Sequence, residues 1–145
     1  MKKIILSALI LGSLVVSCKK DDPVPTCEKT VAGISANYKI TKVEIVSTSG
    51  NSDITSTYLD ACKKDGLYQL KSNNSFIYTE AGSSCTGSGT GSWNVAADKI
   101  TIIGSGGLQF SNSPITSFDC TTLTVTQDID LAGTPVNGKF TFVKQ

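Results

Sequence analysis

The side chains best equipped for chemistry here are five cysteines, at positions 18, 27, 62, 85 and 120, and a scatter of carboxylates. A reactive thiol needs a base or cation to lower its pKa, and a zinc site needs closely set nitrogen or sulfur ligands. The chain has no His and no Arg. That removes the commonest general base, the commonest metal ligand and the usual partner of a catalytic Ser or Cys. The cysteine spacings are long and irregular, with no Cys-x-x-Cys, so they do not read as a zinc site. Asp119, Asp128 and Asp130 fall at expected strand ends or exposed positions and read as solvated turn acids. Asp128-x-Asp130 lacks the Gly and Glu of a calcium loop. Gly87-Ser88-Gly89-Thr90-Gly91 lacks the Lys and the helix of a phosphate loop. The expectation is therefore no catalysis, no metal and no cofactor.

Cys18 stands apart from the other four. Lys2-Lys3 and the apolar run from Ile4 to Val16 form a charged n-region and an h-region too short to span a bilayer comfortably. The closing Val15-Val16-Ser17-Cys18 resembles a bacterial lipobox. The resemblance implies that residues 1–17 are a signal peptide, helical in the precursor, and that Cys18 is diacylated and begins the mature chain. Each buried methylene contributes about 0.8 kcal/mol, so two or three acyl chains make a firm membrane anchor. Residues 18–32 read as a lipid-anchored tether, polar, Pro-containing and without periodicity. Its Lys19-Lys20-Asp21-Asp22 run looks like the export signals of Bacteroidota surface lipoproteins. The expected location is the bacterial envelope, anchored to the outer membrane, with periplasmic and surface display both open.

An oxidising compartment lets the remaining four cysteines pair. Cys62 and Cys85 bracket an expected hairpin, which favours Cys62–Cys85 and leaves Cys27–Cys120. Closing the shorter loop contributes about 3 kcal/mol in the chain-entropy model.

A chain of 145 residues suggests one domain, here residues 33–145. Without Lys2 and Lys3 the charge balance is 11 lysines against 12 acids. A near-neutral chain lacking Arg has no clustered basic face for a phosphate backbone, so no nucleic acid is expected. A hydrophobic share of 39%, much Thr and Ser, and 13 Gly fit a small all-β domain with many turns.

In order, residues 27–36 read as a lead-in with a turn of helix. Residues 37–47 read as a long strand whose apolar positions shift from Tyr38 and Ile40 to Val43 and Ile45, the mark of a bulge. Residues 53–61 suggest a short helix capped by Asp53. Strands 66–71 and 75–80 pair around Asn73-Asn74, with Tyr68, Leu70, Phe76 and Tyr78 on one face. A Gly-rich loop over 82–91 leads to a strand from Gly91 to Val95 that carries Trp93. Ala97-Asp98 turns it into 99–103. Leu108 to Phe110 starts another strand, limited by Pro114. Residues 115–118, 121–129 and 136–144 complete the set, the last with Phe140 and Phe142 inward. Short strands in sequence order pair antiparallel, and closure removes their edges. The expected fold is an all-β, up-and-down antiparallel barrel of about eight strands with one short helix. A small sandwich is the alternative.

These residues resemble the lipocalin-like domains of Bacteroidota lipoproteins. The likeness rests on the lipobox, the strand at Tyr38, a helix ending at Cys62, Cys62-x-x-Asp65 leading into Leu67-Tyr68-Gln69-Leu70, the Asn73-Asn74 hairpin, Cys85 and Gly91-x-Trp93. The chain departs from the pattern at Tyr38, where a Trp is common, and at Gly66, where a second acid is common. The resemblance implies a lipocalin-type barrel and no defined ligand.

A barrel of about eight strands either fills with side chains or holds one small ligand. Tyr38, Tyr68, Phe76, Tyr78, Trp93 and Phe140 are the candidate cavity residues, and an aromatic lining with Tyr hydroxyls suits an apolar molecule with one polar group. The expected function is a lipid-anchored envelope lipoprotein binding a small hydrophobic molecule. The alternative is a structural or protein-interaction module with a filled core. Replacing Cys62 or Cys85 by Ser should lower the melting temperature and leave the anchor intact; unchanged melting in both variants would refute the pairing.

Overall fold

The computed structural model describes residues 27–82 and 84–145. The signal-peptide helix, residues 18–26 of the tether and the lipidation site Cys18 lie outside the described residues. The described elements are α1 (Val31–Ile34), β1 (Ala36–Ile45), β2 (Ser52–Asp53), α2 (Thr55–Tyr58), α3 (Ala61–Lys64), β3 (Leu67–Leu70), β4 (Ser75–Thr79), β5 (Ser88–Ala96), β6 (Lys99–Gly104), β7 (Phe110–Phe118), β8 (Thr122–Leu131) and β9 (Thr134–Lys144).

Every pairing is antiparallel, each strand from β3 onward joins its successor, and β1 joins both β3 and β9. Eight strands therefore close into an up-and-down barrel, with β2 added on the upper edge of β1. The parity change in β1 is a bulge between Ile40 and Lys42. It turns Tyr38, Ile40 and Val43 all inward, with exposures of 0%, 1% and 0%, while the strand bends to meet β9.

The turns follow their residues. Asn74 sits at φ 65 and Ala97-Asp98 at φ 49 and 58, the left-handed pair of a tight hairpin. Asn74 also pins the next strand: its backbone O accepts from Trp93 N, and its amide donates to Trp93 O. Alternation then sends Tyr68, Leu70, Phe76, Tyr78, Trp93, Ile100, Ile102, Leu123, Val125, Phe140 and Phe142 into a single core.

The two ends differ. At one, α1 lies under the barrel, held by Tyr38 Oη donating to Ile34 O at 2.9 Å. The Cys27–Cys120 disulfide and Lys29, which donates to Ile115 O and pairs with Asp98, fasten the same end. Residues 27–32, expected within the tether, are thus fixed to the barrel. The other end carries the long connections, and the Cys62–Cys85 disulfide, with Cα atoms 5.6 Å apart, joins α3 to the β4–β5 loop.

Four expectations change. The turn of helix expected in the lead-in is α1, but the short helix expected over 53–61 is two separate single turns, α2 and α3; between them the chain is extended at Leu59, which drops into the core. Asp53 belongs to β2, and its carboxylate accepts from Thr55 N and Oγ1 while the N-cap position falls to Ile54. β5 begins at Ser88, because Gly91 lets its backbone press on Gly104 of β6, where a Cβ would strike Ile103 O. Residues 110–118 form a single strand through Pro114. Ile115 N donates to Asp98 O toward β6, so the missing N–H of Pro114 faces β8, where no ladder bond exists to lose.

Outside the wall, Glu44 is 10% exposed and sits between Lys42 and Lys139, at 2.8 and 2.6 Å. Hydrogen bonds from Lys139, then Lys42, hold its carboxyl below the usual range. Its contribution is present above the ordinary Glu pKa and is lost as pH falls through the lowered folded value. Glu44→Gln should lower the melting temperature at neutral pH and make the loss of stability on acidification shallower. Equal acid slopes in the two proteins would refute this.

Candidate functional site

The six candidate cavity residues all point into the barrel and come together there. Tyr38, Tyr68, Phe76 and Tyr78 are 0% exposed, and Trp93 and Phe140 are 1% exposed. Three of them, Tyr68, Phe76 and Tyr78, meet ring to ring. Tyr68 lies 4.9 Å from Tyr78 and 5.9 Å from Phe76, centroid to centroid. Phe142 is the hub, with Tyr38, Tyr68 and Phe110 around it at 6.4, 5.5 and 5.5 Å. Phe110, absent from the candidate set, also meets Phe140 edge-on at 5.1 Å. Its signal was hidden by the split reading of β7: with a bulge at Asn112, where φ is 53, the inward positions 110, 113 and 115 fall in one series.

The polar groups among these rings are unequal. Trp93 Nε1 donates to Lys71 O at 2.8 Å, and Tyr38 Oη is used by α1. Tyr68 Oη accepts from Leu108 N at 2.8 Å. Tyr78 Oη is buried and has no hydrogen-bond partner among the described residues. Burial first, then Glu80 and Asp60, push its pKa up to about 12, so it remains a neutral donor at physiological pH. Burial likewise raises Tyr38 to about 12 and lifts Tyr68 well above the usual range.

Tyr78 lies at the loop-bearing end. A Cβ on Gly66 would strike its hydroxyl. Gly106 and Gly107, at φ 68 and 62, lay the β6–β7 connection across its ring, and Gly107 also touches Tyr68. Only Gly fits there, since the left-handed backbone and the ring beneath both exclude a side chain. The result is a thin strap, residues 105–108, over a pair of tyrosines.

A second concavity opens through the outer wall and reaches the buried Ile102, Phe110 and Ser113. β7 and β8 pair from Ile115 to Phe118, and above Ile115 their ladder parts. The side chain of Gln127 bridges the gap: its Oε1 accepts from Ser113 Oγ and Ser111 N, and its Nε2 donates to Gln109 O. This leaves an open slot of about 680 Å³, within the size range of ligand sites. Its wall includes Ile103, at 56% exposure one of the exposed large hydrophobics. Nothing in the periodicity marked it, because the slot depends on strand register.

Among the described residues no cluster of three or more His, Cys, Asp or Glu could hold a metal. Both described disulfides occupy all four described cysteines.

A family model described as a lipocalin-like domain matches residues 34–125, more than half of the 145 residues. The chain belongs to this family. The match ends inside β8, so the closing strand β9 lies beyond it. No curated protein and no solved structure matches the chain.

An unpartnered buried hydroxyl costs about 1–3 kcal/mol. Tyr78→Phe should therefore raise stability by about 1 kcal/mol in urea unfolding. A loss of stability instead would mean that the hydroxyl has a partner in the folded protein.

Proposed function

We propose that this protein is a lipid-anchored lipoprotein of the bacterial envelope whose barrel binds a small, largely apolar molecule carrying one polar group, without catalysing its conversion. The observation that carries this reading is Tyr78: a fully buried phenol whose hydroxyl has no partner among the described residues, under a glycine strap at the loop-bearing end. A buried donor without a partner costs stability, which suits a site where a ligand acceptor takes it. The strap is one backbone layer, fastened over the rings by Leu108 N donating to Tyr68 Oη. Lifting it opens both tyrosines. The ligand's polar group takes the Tyr78 hydroxyl, its apolar body rests on the rings of Tyr68 and Phe76, and Tyr38, Trp93 and Phe140 form the floor and far wall. Two disulfides suit an oxidising compartment, consistent with export, and the lipobox at Cys18 supplies the anchor.

A second reading has its own support. The inward rings already fill the barrel at 0–1% exposure, which suits a structural or protein-interaction module with no ligand.

Native mass spectrometry of the full chain, released from its own host's membranes in mild detergent, separates the two. The expected result is a covalent diacylglyceryl mass that Cys18→Ser abolishes, plus a non-covalent adduct of defined mass that Tyr78→Phe weakens. A protein carrying the anchor but no adduct would overturn the ligand reading and favour the interaction module.

A further inference from the structure

We propose that the slot between β7 and β8 is a second binding site, for a neutral oligosaccharide. It opens on the outer face of the barrel, with the buried Ile102 and Phe110 of the core in its lining, and it does not rest on the reading of Tyr78.

The slot sets four carboxamides, three hydroxyls and one carboxylate, with no lysine, around the apolar surfaces of Ile102, Ile103, Phe110 and Pro114. This composition discriminates among ligand classes. An anion would meet Asp128 and no cation. A cation would find one carboxylate already accepting from Asn137 Nδ2 at 3.2 Å. A wholly apolar ligand would match Ile102, Ile103, Phe110 and Pro114 but leave the facing carboxamides and hydroxyls without partners. A sugar hydroxyl both donates and accepts, as a carboxamide does, so a neutral polyol can answer every group in turn.

The polar groups divide into frame and face. Gln127 is spent on bridging the strands. Gln109 is spent on the strap, its Oε1 accepting from Gly104 N and its Nε2 donating to Gly106 O. Asn112, Asp128, Asn137 and the hydroxyls of Ser111 and Thr126 remain. The Asn112 carboxamide makes no hydrogen bond among the described residues; only its backbone N is engaged, donating to Thr101 Oγ1. Its bulge at φ 53 sets that free amide on the β7 side of the slot. Asp128 and Asn137 are cross-strand partners on β8 and β9, and their side chains form a joined acceptor and donor on the other side. Ile103 and Pro114 add apolar surface in the same slot, suited to the C–H face of a pyranose. An extended peptide is a poorer fit. Pro114 offers no N–H to the gap, and the side chain of Gln127 occupies the line that a paired strand would need.

The test is titration calorimetry on the full chain, in a detergent without a sugar headgroup. The probes are maltotetraose, cellotetraose, xylotetraose and mannotetraose, with an uncharged Ser-Thr peptide as comparison. At least one tetrasaccharide should give saturable binding. Asn112→Gly, which suits the left-handed backbone, and Asp128→Asn should each weaken that binding by about tenfold without shifting the melting temperature. The proposal fails if none of the four sugars binds at millimolar concentration, if both variants bind as the parent does, or if only the peptide binds. Tyr78→Phe should leave sugar binding unchanged, so failure here and failure of the barrel reading are distinguishable.

Discussion

The structure depends on the ladder between β1 and β9. It joins Tyr38 to Lys144 and Ile45 to Gly138, residues near opposite ends of the described chain. Without it the sheet would present two long edges of unpaired N–H and C=O groups. With it, the inward faces of eight strands enclose one core. The bulge after Ile40 makes this closure geometrically feasible, since a strand that served β3 and β9 without a bend would aim Val43 outward. Closing such distant residues costs chain entropy before it returns any contact, so ordering of this fold should be limited by that pairing.

Both disulfides act on the ends of the barrel. Cys27–Cys120 spans 93 residues and ties the lead-in and α1 to the β7–β8 turn. Cys62–Cys85 spans 23 residues and gathers the loops at the other end. Neither crosses the wall between β5 and β8. That wall is held by backbone ladders, by the close Gly91–Gly104 approach and, where the ladder fails, by one Gln side chain. The covalent restraint and the irregular wall therefore fall in different parts of the molecule.

Much of this was legible in the sequence because the signals were local. Asn74 and Asp98 mark turns for the same reason in sequence and in space: Asn and Asp tolerate positive φ, and Asp98 carries Ala97 into the turn with it. Period-two alternation placed Tyr68, Tyr78, Trp93, Ile100, Leu123 and Phe140 inward, and the parity change in β1 located its bulge. The unread features depend on neighbours far along the chain. Gly91 looks like a loop residue until β6 is laid against it, and Gly89 until the strap is, when their lack of a side chain becomes the condition for the close approach. Pro114 looks like a terminator until β8 is seen to have left that edge. Gln127 looks like an exposed polar residue on an alternating strand, yet its amide stands in for missing backbone bonds. Register, and not composition, decides all three.

Register also brings the two candidate sites into mechanical contact through Gln109. Its side chain ties the strap, binding Gly104 N and Gly106 O, while its backbone O accepts from Gln127 Nε2 in the seam. The strap covers Tyr78, and the seam shapes the slot. Gln109 is therefore shared between the covering of the tyrosines and the frame of the slot. The barrel interior and its outer slot are thus joined at the place where the regular ladder gives way to side chains, while the rings around Phe142 remain a common, rigid floor.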